Sequence, residues 1–139
     1  MATILASAAR TADGTQTFSV RPRCSSILLQ LDVTAAATDV GDILALWVQG
    51  TIDGTNYYDI GRFADVLGDG GAKRFFMTLQ RTGSVAENDI VTPTDVGMAA
   101  ATVNYGPFPN SLRLKWTVTD AGTKNASFTF SVTSAIIMA

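Results

Sequence analysis

The chain has 139 residues, with ten Lys and Arg against twelve Asp and Glu and no His, so its formal net charge is −2 at pH 7. That length suits one domain with a real core. The weak negative balance offers nucleic acid no basic field, and no apolar run approaches the roughly 18 residues that span a bilayer.

One Glu (Glu87) and three Lys stand beside eighteen Thr. Surface-helix formers are therefore scarce and β-branched residues abundant, which implies an all-β fold. Charged residues are 16% of the chain, against roughly 25% in typical soluble domains. Two explanations fit: a thick core under a Ser/Thr-rich surface, or apolar surface covered by other subunits. Cys24 is alone, which excludes an intrachain disulfide, and without His it reads as a small buried hydrophobe. No signal-peptide pattern is evident, and cytosolic synthesis is the simplest context.

Met1–Ala9 is apolar and small, and reads as a first strand or as an arm (residues 1–10) reaching a neighbouring subunit. Thr15–Val20 is a short strand ended by Pro22. In Ser26–Thr34, Ile27, Leu29, Leu31 and Val33 alternate with Gln30, Asp32 and Thr34. Leu28 interrupts the polar set, which implies that part of the outer face is covered.

The strongest local signal is Ile43–Ala64. Leu44, Leu46, Val48 and Ile52 share one face of an extended strand, and Ala45, Trp47, Gln49 and Thr51 the other. Asp53-Gly54-Thr55-Asn56 supplies a turn, and Tyr57, Tyr58, Ile60 and Phe63 return. Val66–Ala72 reads as a Gly-rich loop and Lys73–Arg81 as a strand with Phe75, Met77 and Leu79 on one face. Glu87–Asp89 and Thr92–Asp95 read as loops, while Val96–Val103 fits a strand or a short helix. Pro107 and Pro109 bracket Phe108 in a rigid turn. Ser111–Thr119 points Leu112, Leu114, Trp116 and Val118 inward, and Ala126–Thr133 returns with Phe128, Phe130 and Val132 inward. The chain closes on Ile136, Ile137 and Met138. About eight strands between turns point to a single-domain antiparallel β-sandwich, jelly-roll-like, or a barrel, across residues 1–139.

No catalytic apparatus emerges. The usual neutral-pH base is missing with His. Asp32, Asp39, Asp42, Asp53, Asp59, Asp65, Asp69, Asp89, Asp95 and Asp120 read as solvated turn or outward-facing residues. Asp65 and Asp69 lack the spacing of a calcium loop, and Gly68-Asp69-Gly70-Gly71 lacks the Lys-Ser/Thr of a phosphate cradle. No catalytic, cofactor or metal residue is assigned. Trp47, Tyr57, Tyr58 and Tyr105 could stack on sugars or bases, but aromatics at strand spacing more often pack in cores.

Thr3–Thr11 (TILASAART), Leu31-Asp32-Val33-Thr34, the hairpin from Trp47-Val48-Gln49-Gly50 through Asp53–Ile60, and Leu112–Val118 with Ser127–Val132 together resemble small structural proteins of tailed bacteriophages. The resemblance implies a virion component made in the host cytoplasm: a capsid cement or decoration subunit, or alternatively a neck or tail part. It implies the major capsid protein and further copies of the chain as partners, a trimer, and neither nucleic acid nor membrane. Ile4, Leu5, Ile136, Ile137 and Met138 are then the candidate intersubunit or lattice contacts. The same hairpin is also similar to that of discoidin-like carbohydrate-binding sandwiches, where Trp stands at the position of Tyr57.

Overall fold

A computed structural model describes residues 1–81, 95–104 and 108–138. Its strands are β1 (Ala2–Arg10), β2 (Gly14–Ser19), β3 (Cys24–Ala36), β4 (Ile43–Thr51), β5 (Tyr58–Arg62), β6 (Val66–Leu67), β7 (Lys73–Gln80), β8 (Thr102–Val103), β9 (Ser111–Thr119) and β10 (Phe128–Met138). Two antiparallel sheets result. One runs β1-β10-β3-β7 and the other β2-β9-β4-β5-β8, with β6 pairing β4. Among the described residues there is no helix, and so none long and apolar enough to cross a membrane.

The inner faces are built by strict alternation. Ile27, Leu29, Leu31 and Val33 of β3 lie beside Phe130 and Val132 of β10, all with no exposure. The second sheet contributes Leu44, Leu46 and Val48 of β4 and Leu112, Leu114 and Trp116 of β9 to the same core. Each fully buried side chain of this kind stabilises by about 1.5–3 kcal/mol. Trp116 meets Phe130 edge-on at 5.9 Å between ring centres, joining the sheets.

The N-terminal segment is a strand, paired with β10 from Ala2 opposite Ser134 to Arg10 opposite Phe128. Two register shifts bend this edge, and Arg10 seals it by donating to the carbonyls of Ala6, Ala8 and Phe130. The apolar residues Ile136, Ile137 and Met138 are part of the ladder too, pairing with Ile27, Ser26 and Cys24 at the end of β10.

The hairpin stands as the alternation predicts, with one correction. Ile52 lies beyond β4 and is 91% exposed. In the turn, Gly54 takes φ 78°, a region that β-carbons disfavour. The Asp53 carboxylate accepts the amides of Thr55 (2.8 Å) and Asn56 (2.7 Å). Those amides, Asn56 first, hold its carboxyl far below the usual range.

Val66–Ala72 is a loop only in part, since Val66 and Leu67 pair with Leu44 and Ile43 and Val66 is buried. Of Val96–Val103, only Thr102–Val103 is strand, and no helix forms. Val96 and Ala101 hold φ of 55° and 56°, unusual for residues with a β-carbon. The expectations for Glu87–Asp89, Thr92–Thr94, Tyr105 and Pro107 lie outside the described residues.

Asp42 is buried rather than solvated, and it ties the loops at one end of the molecule. Its carboxylate accepts Ala121 N–H at 2.8 Å and Asp39 N–H at 3.1 Å, while Asp39 accepts Lys124 N–H at 2.6 Å. Any β-carbon on Gly122 would fall 2.0 Å from Asp39 Oδ2, so the closeness of this clamp requires glycine.

Candidate functional site

Two surfaces carry features beyond simple folding. The first is on the outer side of the six-stranded sheet. β4 is buried on both faces: Ala45, Trp47, Gln49 and Thr51, expected on the face away from Leu46, are each at most 5% exposed. Gln49 sits between Asp59 on β5 and Arg113 on β9, its register partners on either side. Its amide Nε2 donates to Asp59 Oδ1 and to Asp95 Oδ1, both at 2.7 Å, and its Oε1 accepts Arg113 Nε at 2.7 Å.

Asp59 is 2% exposed, contrary to the solvated role its sequence context suggests. Burial of this carboxylate is tolerable because Oδ1 accepts Val96 N–H (3.0 Å) and Oδ2 accepts Gly97 N–H (2.8 Å) and Met98 N–H (2.9 Å). Asp59 thereby straps residues 95–104 across the sheet and holds Val96 in its left-handed conformation. Arg62 adds a second tie, donating to Met98 O at 2.9 Å and Asp65 at 2.8 Å while its guanidinium covers Trp47 at 4.5 Å.

Asp95 closes the network from outside, with Lys115 Nζ at 3.1 Å and Arg113 at 3.7 Å. The Gln49 amide first, then Lys115 and Arg113, hold its carboxyl below the usual value. Arg113 also lies 3.6 Å over the Tyr57 ring. With one face of Trp47 and of Tyr57 already taken by a guanidinium, these rings are poor platforms for a sugar. The network is a structural clamp.

The second surface is the outer face of the four-stranded sheet. Register places Thr133, Gln30 and Phe76 in one row, Ala135, Leu28 and Thr78 in the next, and Ile137, Ser26 and Gln80 in a third. Phe76 is 61% exposed, Ile137 59% and Leu28 37%. Diagonal neighbours on one sheet face lie within reach of long side chains, so these residues form one apolar strip. Asp32 and Arg74, a loose pair at 3.4 Å, border it.

The predicted contact residues divide between these environments. Leu5 is inside the core at 7% exposure, and Ile4 is half-buried against it. Ile4 and Ile136 line a cleft of about 320 Å³ between β1 and β2, and Ile136 and Met138 line a hollow of about 260 Å³ with Met1 and Arg21. Ile137 faces the other way, onto the apolar strip. Sequence reading missed Phe76, whose signal is an aromatic on the otherwise polar side of β7. It also missed the burial of Gln49 and Asp59, signalled only by two polar residues in an otherwise apolar hairpin.

Among the described residues, no three Asp, Glu, Cys or His side chains come together as a metal site. Asp69 is exposed, and Asp65 is engaged by Arg62. Comparison with protein-family models, with curated proteins and with solved structures found no match.

Proposed function

We propose that this chain is a virion structural protein: a capsid cement subunit that binds the assembled shell, stabilises it and catalyses nothing. The observation that carries the reading is the exposed strip of Leu28, Phe76 and Ile137 on a hydrogen-bonded sheet face. A rigid apolar strip with a sparsely charged border suits contact with a large ordered surface. Its partners are then the major capsid protein and further copies of the chain.

Strand order supports the reading by analogy. With the two-residue β6 and β8 set aside, the remaining eight strands follow 1-8-3-6 in one sheet and 2-7-4-5 in the other. We read this as a jelly roll, two nested Greek keys, an architecture that recurs in viral capsid proteins and in lectins. Of those two uses, the stacked arginines over Trp47 and Tyr57 disfavour the sugar-binding one.

Mass spectrometry and immunogold labelling of purified particles test it. Labelling over the whole shell supports the cement role. Labelling confined to the neck or tail replaces it with the tail-component reading, and absence from particles overturns both.

A further inference from the structure

We propose that the free edge of β7 is a subunit interface, and that it pairs antiparallel with β7 of a second copy about a two-fold axis through Phe76. The inference is independent of the cement reading and rests on the backbone.

Arg81 N–H donates to Ser25 O at 2.9 Å, in the same register as the β3–β7 ladder. Hydrogen-bonded pairs alternate along an antiparallel ladder. Lys73, Phe75, Met77 and Leu79 therefore direct their backbone groups at β3, while Arg74, Phe76, Thr78 and Gln80 direct theirs away from it. Among the described residues, no strand pairs with that side of β7.

The opposite edge of the same sheet is defended: β1 is bent by two register shifts and ends in Arg10. β7 runs without a shift from Lys73 to Gln80, and an exposed Phe76 sits at its middle. A long, regular edge bearing an exposed apolar side chain is a template for another strand.

The chain's own sequence fits that template. A two-fold axis perpendicular to the sheet keeps inner faces with inner faces, so only registers that pair even with even positions are open. With the axis at Phe76, Phe76 faces its own mate, Arg74 faces Thr78 and Lys73 faces Leu79. Every outward N–H and C=O of Arg74, Phe76 and Thr78 then finds a partner, and no like charges oppose. Moving the axis to Met77 would set Lys73 against Arg81, and moving it to Phe75 would shorten the overlap. The product is one continuous eight-stranded sheet, which places two apolar strips side by side. Pairing of this kind is closed, so the elementary unit is a dimer and any larger particle is built through other surfaces.

Sedimentation velocity at micromolar concentration tests the interface, with circular dichroism to report folding. Thr78→Pro removes an N–H that points away from β3, which an edge strand tolerates, and Phe76→Lys sets two cations directly opposite each other. The wild-type chain is expected at twice its 14.6 kDa mass, and both variants at the single mass with an unchanged β spectrum. If Thr78→Pro fails to fold, Phe76→Lys alone decides. A wild-type monomer or strict trimer, or a folded variant that remains dimeric, overturns the proposal.

Discussion

The Gln49 side-chain amide donates to the Asp59 carboxylate at 2.7 Å, in a place where neither residue is more than 2% exposed. This contact turns what would be a solvated sheet face into a second buried layer, because the same carboxylate anchors Val96, Gly97 and Met98.

Asp59→Ala leaves those three amides and the Gln49 Nε2 group short of an acceptor. Each buried group left unpaired costs about 1–3 kcal/mol, so the unfolding free energy should fall by an amount near the top of that range or beyond it, and the urea midpoint with it. Gln49→Leu removes a donor and an acceptor together and strands Arg113, so it should also destabilise. The double variant should lose less than the sum of the two, because the residues touch. Strictly additive losses in urea titrations would contradict the clamp.

Hairpin substitutions separate inward from outward positions. Leu46→Asp or Val48→Asp places an unpaired charge at 1% or 0% exposure. The cost of several kcal/mol is comparable to a whole stability margin of about 5–15. Ile52→Asp, at 91% exposure, should leave the melting temperature unchanged. A soluble, normally melting Leu46→Asp protein would refute the core assignment.

Acid should weaken the fold only at low pH. The carboxyls of Asp42, Asp53 and Asp95 are all held below their ordinary values, by the Ala121 amide, the Asn56 amide and the Gln49 amide first in each case. A depressed folded-state value means stability that is fully present above the unfolded value of about 3.9 and is lost as pH falls below it. With no His in the chain, stability should be flat between about pH 5 and 8. Burial raises Tyr58, the opposite sign, so stability should fall again as pH rises beyond about 10. Urea midpoints across this range check both limbs, and Asp95→Asn should flatten part of the acid one.

Removing residues 1–9 should destabilise the whole domain rather than only loosen an attachment. β1 pairs along β10, and Leu5 is part of the core. Its loss would expose the edge of β10 and the side chains of Phe130 and Val132. A truncated chain with unchanged thermal unfolding would show that the first strand contributes nothing to the fold.

Alternation is what makes the strands legible in sequence, since Ile27 to Val33, Leu44 to Val48 and Leu112 to Trp116 each mark one buried face at period two. That signal says nothing of what lies over the other face. Gln49 and Asp59 look like solvent-facing residues because their partners Asp95 and Arg113 come from 46 and 64 positions beyond Gln49. β6 and β8, two residues each, are too short to carry a period and exist only because β4 and β5 offer them an edge. The exposed strip is half legible: Ile137 lies in a visibly apolar tail, but only the β3–β7 register brings Phe76 beside Leu28.

The most direct measurement is reconstitution on shells that lack this protein, followed by co-sedimentation and heat-induced genome release. A subunit that binds the intact lattice better than its dissociated parts shifts the shell toward assembly by linkage. The wild-type chain should therefore pellet with shells and raise the temperature of genome release. A variant carrying Leu28→Ser and Ile137→Ser, with Phe76 and the β7 edge intact, should fold normally yet bind weakly and leave that temperature low. Failure of the folded wild-type chain to pellet with shells, or full binding by the variant, would contradict the account.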